Sequence, residues 1–480
     1  MVFSSLLFLT VFFPLFVLGY FLLPGKINIK HLYILAASFI FYAWGEPKFV
    51  WIVFFTTIVD YFLVKKMNSY DDPFKRKLFL VFPILLNVGL LSYFKYFNFF
   101  VDSFNQLGSI FDFPLIKVSQ IVLPIGISFF TFESITYSVD VYRRVHKPLD
   151  KFWEYQMYII FFPKLIAGPI VRYHEISEQI KDHIHHDHLH NRMNGFIRFV
   201  IGLGKKVLIA NVVGRQADLI FGLSPEQLTT PISWLGALAY TVQIYFDFSG
   251  YSDMAIGISR MLGFKLPENF NHPYVSKSVT EFWKRWHITL GNWMRNYLYI
   301  PLGGNRATKE RVLFNLFLVF ILSGFWHGAG WNFIVWGMYY GLFLVGERIL
   351  IKKGNLDGDG MRSYIGMLYT FMVVVIGWVF FRLEDLPLAF KYIHKMFSFD
   401  FSHDYVFVFQ EDFFFFLVAG LLLSFSTLNS RIDRFQQKVF EVGLYRNELY
   451  LFVLLGIAIY FICLISLSGG LYNPFIYFKF

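Results

Sequence analysis

Residues 312–328 read Val-Leu-Phe-Asn-Leu-Phe-Leu-Val-Phe-Ile-Leu-Ser-Gly-Phe-Trp-His-Gly. The run Val312–Leu322 is apolar on every side apart from Asn315, without the alternation of a half-buried strand. Such a stretch reads as a helix whose solvent is lipid. At its end stand Ser323, Gly324, His327, Gly328 and Ala329. The small residues leave room for close approach of a substrate or of another backbone. An ionisable group at the end of an apolar segment is expensive to bury, which makes His327 a functional candidate. Histidine is also the side chain best suited to take a proton near neutral pH. On these grounds alone a hydrogen-bonded packing role remains the competing reading.

Working outward, the same character fills the chain. Of 480 residues 56% are hydrophobic and only 16% are charged, against roughly 25% in soluble domains. Aromatic residues reach 21%, with 63 Phe and 29 Tyr, and suit lipid-facing surfaces and interfacial belts. The net charge of +10 is the excess expected of cytoplasmic loops rather than a nucleic-acid footprint. Residues 1–25 carry no charged side chain and lack the basic start of a cleavable signal, so Phe3–Leu23 reads as a retained first span. Lys26 and Lys30 follow it, which places the N-terminus outside and the first loop in the cytoplasm.

Further apolar segments fall near 31–44, 49–64, 78–97, 118–139, 155–171, 195–213, 232–248, 311–326, 331–350, 364–381, 411–426 and 449–467. The expected fold is therefore an all-α polytopic membrane protein of roughly 11–13 transmembrane and re-entrant helices. It reads as one integral membrane domain over 1–480: N-terminal helices to 117, a central portion 118–350, and C-terminal helices with an aromatic tail from 351. Pro124, Gly126, Pro163, Gly168 and Pro169 interrupt apolar runs, and broken backbone at membrane depth predicts a cavity-forming centre. The polar stretch 260–311 holds nine Lys or Arg against three Glu and marks a cytoplasmic face of amphipathic helices.

Other ionisable groups in apolar segments are Glu133, Asp140, Lys164, Asp247 and Asp253, for which internal ion pairs are the preferred reading. The single cysteine, Cys463, lies in an apolar run and reads as a core residue. No nucleophile elbow, phosphate loop, zinc-protease motif or cysteine cluster is present. His183–His190 contains five histidines in irregular spacing and reads as a solvated loop rather than a metal site.

Taken with His287, His327 makes the chain recognisable. The stretches Leu123–Phe132 (LPIGISFFTF), Asp140–Arg143 (DVYR), Ala167–Arg172 (AGPIVR), Tyr245–Asp253 (YFDFSGYSD), Glu268–Pro273 (ENFNHP), Glu281–His287 (EFWKRWH), Tyr299–Arg306 (YIPLGGNR) and Leu322–Ala329 (LSGFWHGA) occur in this order. Each is weak alone. Together they resemble the membrane-bound O-acyltransferase (MBOAT) superfamily, and within it the bacterial alginate O-acetyltransferase branch.

The resemblance implies a ring of helices around a central funnel in the bacterial cytoplasmic (inner) membrane, with 118–350 as the catalytic core. It implies His327 as the catalytic histidine and His287 as a supporting one. No bound cofactor is expected; acetyl-CoA is the implied donor substrate. The implied partners are an extracytoplasmic esterase-like acetyltransferase, a polysaccharide acceptor and membrane lipid. In this reading His327 is the general base on an acceptor hydroxyl. Trp326, Asn332, Ser323 or amides near Gly328 support the site or the oxyanion, and Lys284, Arg285 and Arg295 are candidates for the phosphates of CoA. Ordinary positive-inside topology accounts for those three cations equally well.

The tail Phe475–Phe480 (FIYFKF) is similar to the ends of small partner proteins in teichoic-acid D-alanylation systems. It is either an interfacial aromatic anchor or a place for Tyr477 to act as a covalent acyl relay. D-alanyl transfer to teichoic acid from a carrier-protein thioester is the nearest alternative function. A transporter is the alternative from another class, and the absence of inverted repeats weighs against it.

Overall fold

The computed structural model describes residues 2–350, 361–402, 407–470 and 472–476. Among these residues the regular structure is helical throughout, apart from a single antiparallel bridge between Phe270 and Trp286. Six helices are long and apolar enough to cross a membrane, and a seventh arises if the bent pair Phe413–Leu428 and Ser430–Phe440 is one span. Other apolar stretches are too short or too charged to pass as simple spans. Val50–Asn68, for instance, buries Asp60 and ends in Lys65 and Lys66. This is the pattern of a polytopic protein with interrupted helices.

The chain divides into two compact units. The first holds the residues up to Gly195 together with Ile258–Pro267. Its helices include α1 (Ile27–Gly45), α2 (Val50–Asn68), α3 (Pro73–Leu91), α4 (Ile127–Tyr142) and α5 (Phe152–Ile160). Buried ionisable groups there are hydrogen-bonded or ion-paired, because an unsatisfied ion in a low-dielectric interior is costly. Asp60 on α2 accepts from Asn87 Nδ2 at 2.8 Å and Tyr155 Oη at 3.3 Å. Glu133 on α4 is paired with Lys164 and accepts the Val171 amide at 3.3 Å. Asp140 meets His174 Nδ1 at 2.9 Å.

The broken backbone predicted at Gly126 is present: its φ is +80°, and a Cβ there would lie 2.7 Å from Leu165 O. In the histidine-rich stretch, His183 is buried with its ring stacked at 4.3 Å on Phe264, while His186, His188 and His190 are exposed. The stretch is therefore not uniformly solvated. Among the described residues no group of three His, Cys, Asp or Glu is arranged to hold a metal.

The second unit holds Phe196–Gly257 and the described residues from Glu268 onward. It takes in most of α6 (Leu189–Gly204), which continues through a π-helical turn at Lys205–Ala210, and most of α7 (Thr230–Met261). Then follow the short α8 (Val279–Arg285) and α9 (Ile288–Met294), the long α10 (Lys309–His327) and α11 (Trp331–Leu350), α12 (Met361–Arg382) and α13 (Arg446–Gly469).

Helices α10 and α11 form a tight hairpin. A Cβ on Gly324 would lie 2.2 Å from Phe333 O and 3.1 Å from Gly337 Cα, and one on Gly337 would lie 2.4 Å from Phe320 O. Without a hydrophobic drive between helices in lipid, small residues of this kind let the backbones touch and gain dispersion contact. The small residues before His327 thus admit another backbone. A Cβ on Gly328 would likewise strike the Phe333 ring at 2.1 Å.

Candidate active site

His327 is the last residue of α10 and is 4% exposed. It lies among rings: Trp326 at 5.1 Å, Trp336 of α11 at 5.2 Å, Phe381 of α12 at 5.4 Å and His287 at 6.3 Å between centroids. Trp326 is 6.2 Å from the His287 ring and so borders both histidines. Sequence positions 287, 326, 327, 336 and 381 therefore converge on one buried, mainly aromatic site.

His287 arrives there by a different route. It occupies the joint between α8 and α9 with φ 45° and ψ 53°, a left-handed conformation uncommon for a non-glycine residue. Three sets of contacts hold the segment that carries it. Glu347 on α11 accepts the amides of Val279 at 2.6 Å and Thr280 at 2.9 Å, capping the start of α8. Ser278 accepts the Glu281 amide at 3.1 Å as the N-cap. The bridge between Phe270 and Trp286 is flanked by bonds from Asn271 N to Arg285 O and from Ile288 N to Asn269 O, both 2.9 Å. The His287 ring is 1% exposed, meets Phe248 edge-on at 4.7 Å and places Nδ1 3.0 Å from Asn269 Oδ1. Burial lowers its pKa to about 3, so the imidazole is neutral near pH 7.

A cavity of ≈ 180 Å³ adjoins this joint, with Arg198, Ser249, Ser252, Asp253, Glu268 and Asn269 among its lining residues. Its cations are already paired. Arg198 contacts Asp253 and Glu268 at 2.6 Å, and Lys205 contacts Asp253 at 2.6 Å. A little further along α6 and α7, Lys206 pairs with Asp247 at 2.7 Å. The ion-pair reading of Asp247 and Asp253 holds.

The remaining site residues are placed as follows. Ser323 is buried one turn before His327. Asn332, on the first turn of α11, donates from its side-chain amide to Phe380 O at 3.2 Å. Lys284 and Arg295 are exposed and Arg285 is bound to Glu281 at 2.8 Å; none of the three lines the cavity. Tyr477 lies outside the described residues. Two groups escaped the sequence reading. Asn269 was visible only as part of the ENFNHP stretch. Trp336, fully buried with no described hydrogen-bond partner for its indole N–H, was hidden inside an apolar helix.

His287 and His327 thus lie buried 6.3 Å apart between ring centroids in a ring-lined site, with a polar cavity beside His287. The pattern of the membrane-bound O-acyltransferase family matches residues 150–384. The chain is 43% identical over 401 residues to the probable alginate O-acetylase AlgI of Pseudomonas aeruginosa, covering 83% of this chain and 75% of that one. It is 36% identical over 424 residues to a peptidoglycan O-acetyltransferase of Helicobacter pylori, covering 82% and 80%. It is also 26% identical over 334 residues to a teichoic acid D-alanyltransferase of Bacillus subtilis, covering 63% and 83%. The chain belongs to the membrane-bound O-acyltransferase family and is a polytopic acyltransferase.

Proposed function

We propose that this enzyme takes an acetyl group from cytosolic acetyl-CoA and passes it across the membrane for O-acetylation of an exported or cell-wall polysaccharide, working with an extracytoplasmic esterase-like partner. The observation that carries the reading is the buried pair His287–His327, 6.3 Å apart between ring centroids. The similarity to alginate and peptidoglycan O-acetylating proteins supports acetyl as the group and polysaccharide as the acceptor. The likeness to teichoic acid D-alanyltransferases covers less of this chain at lower identity, so D-alanyl transfer is the weaker reading. In the same proposal the protein sits in the bacterial cytoplasmic membrane with its N-terminus outside.

In the chemical step, His327 takes the proton of an acceptor hydroxyl as its oxygen attacks the thioester carbonyl carbon. The tetrahedral oxyanion collapses, the C–S bond breaks, and the leaving thiolate takes the proton back from the His327 imidazolium, which returns to its neutral form. Trp326 and Trp336 bring indole N–H groups to the rings around His327, where a developing oxyanion needs donors. The cavity at Asn269 suits the uncharged arm of a thioester better than its phosphates, since its own cations are already paired.

Tyr477 is proposed as an acyl relay on the way out: its phenol oxygen accepts the acyl group from the thiol and yields it to the final hydroxyl. Support comes from the residues before it. Lys206 donates to Pro474 O, the Ile476 amide donates to Asp247 Oδ2 at 2.9 Å, and the next residue along α7, Phe248, packs on His287.

The test is polymer acetylation measured by mass spectrometry in cells carrying His327→Ala or His327→Gln at normal membrane levels. Loss of a general base costs roughly 10²- to 10⁴-fold, so acetylation falls to background in both. Full acetylation in both would remove His327 from the chemistry. Peptide mass spectrometry after incubation with acetyl-CoA finds acetyl on Tyr477 if the relay operates, and none in Tyr477→Phe.

A further inference from the structure

Asn269 is fully buried and its amide has one permitted orientation. Its Oδ1 accepts from the Thr289 hydroxyl at 2.9 Å and from the Thr289 backbone N–H at 3.4 Å, while its Nδ2 donates to Ser252 Oγ at 3.1 Å. A backbone N–H only donates, so the atom facing it is the oxygen. That same oxygen faces His287 Nδ1 at 3.0 Å. Two acceptors do not bond one another, so Nδ1 carries the hydrogen. A neutral imidazole has one N–H, and Nε2 is left with a free lone pair. Nε2 is buried and has no hydrogen-bond partner among the described residues. The main chain of Asn269 adds a second hold, accepting the Ile288 amide at 2.9 Å and fixing the left-handed joint at His287.

We propose that Asn269 is a positioning residue that locks His287 in its Nδ1–H tautomer, so that Nε2 is the atom presented to substrate, as an acceptor only. His287 then takes a hydrogen bond or a proton from a ligand O–H or N–H, such as the acceptor hydroxyl or an amide of the donor's arm. It does not donate to the oxyanion. This rests on the acyl-transfer reading for its function, but the tautomer stands apart from it.

The experiment has two arms. In the first, nitrogen NMR is recorded on the full-length, histidine-labelled protein in lipid, with the His287 signals identified by their loss in His287→Gln. Nδ1–H in the parent, converting to Nε2–H or a mixture in Asn269→Leu, is the expected result; Nε2–H in the parent overturns the proposal whatever the enzyme transfers. In the second arm, acyl transfer is followed against pH. Asn269→Leu, which has similar bulk and no acceptor, lowers kcat on the order of 10²-fold with little change in KM. Asn269→Asp keeps the acceptor, adds a charge that favours the imidazolium, and moves the acidic limb of the profile upward. If both variants lose rate equally with an unshifted profile, Asn269 is only structural.

Should the Asn269 variants fold poorly, Ser252→Ala releases only the far end of the amide. It is expected to lower kcat several-fold and to mix the tautomers in the NMR spectrum; an unchanged spectrum and rate would count against the lock. His327→Gln in the same assays separates the two failures. If it retains full transfer while the tautomer is as described, the acyl-transfer reading falls and the lock survives.

Discussion

The two histidines are delivered by regions of opposite character. His327 ends α10, a long apolar helix closed against α11 through glycines, whereas His287 sits at a strained joint between two seven-residue helices. In the hairpin every backbone group except the ends is satisfied within its own helix, so lipid can surround it and packing alone sets the geometry. At the joint the backbone is irregular and is held by bonds to residues elsewhere in the chain, Asn269 and Asn271, with Glu347 capping the short helix before it. The first region depends on shape and the second on hydrogen bonds.

The largest break in that contrast comes from Gly324→Leu. The new side chain begins where Phe333 O already lies, so the hairpin has to part. Backbone cannot yield as a side chain can, and the loss exceeds the 1–3 kcal/mol typical of overpacking. The expected outcome is a large fall in folded yield and melting temperature in detergent, with acyl transfer lost in proportion.

The joint is sensitive to pH. Burial holds His287 at about 3, below the ordinary histidine value of about 6.5. A lowered folded-state pKa means that the unfolded chain binds the extra proton first. The stability it reflects is therefore full above about 6.5 and is lost as pH falls toward 3. Between those limits the melting temperature of the parent falls more steeply than that of His287→Gln; equal slopes would show that His287 is not held neutral.

The smallest effect is expected at the far support. Glu347→Gln keeps the shape but weakens the charged cap on α8, a change worth about 1–2 kcal/mol. Melting temperature drops by a few degrees and kcat falls while the hairpin stays intact. A wild-type rate would show that α8 is held by its rings instead, Trp283 with Trp336 and Trp286 with Trp378.

Much of the fold was legible because lipid selects for long uninterrupted apolar runs, and α10, α11 and α12 are such runs. His327 stood out as the polar group at the end of one. The pairing of Asp247 and Asp253 was foreseen in kind, though not their partners Lys206, Arg198 and Lys205. His183 was missed as a buried ring because it stands in a run of exposed histidines, and its partner Phe264 is distant in sequence. Lys284, Arg285 and Arg295 read equally as donor-binding groups or as ordinary basic loop residues; the cavity is lined by other cations, Arg198 and Lys205, which already have partners.

The sequence by itself determined the solvent, the helical class, the family and the candidate histidine His327, since each is written in local composition or in contiguous motifs. Only the tertiary structure decided that His287 comes within 6.3 Å of His327, that Trp336 and Phe381 flank His327, and that Asn269 meets the imidazole of His287. The reason is physical. Helix formation in an apolar medium is decided residue by residue, whereas a left-handed joint exists only when groups far apart in the chain arrive together to satisfy it.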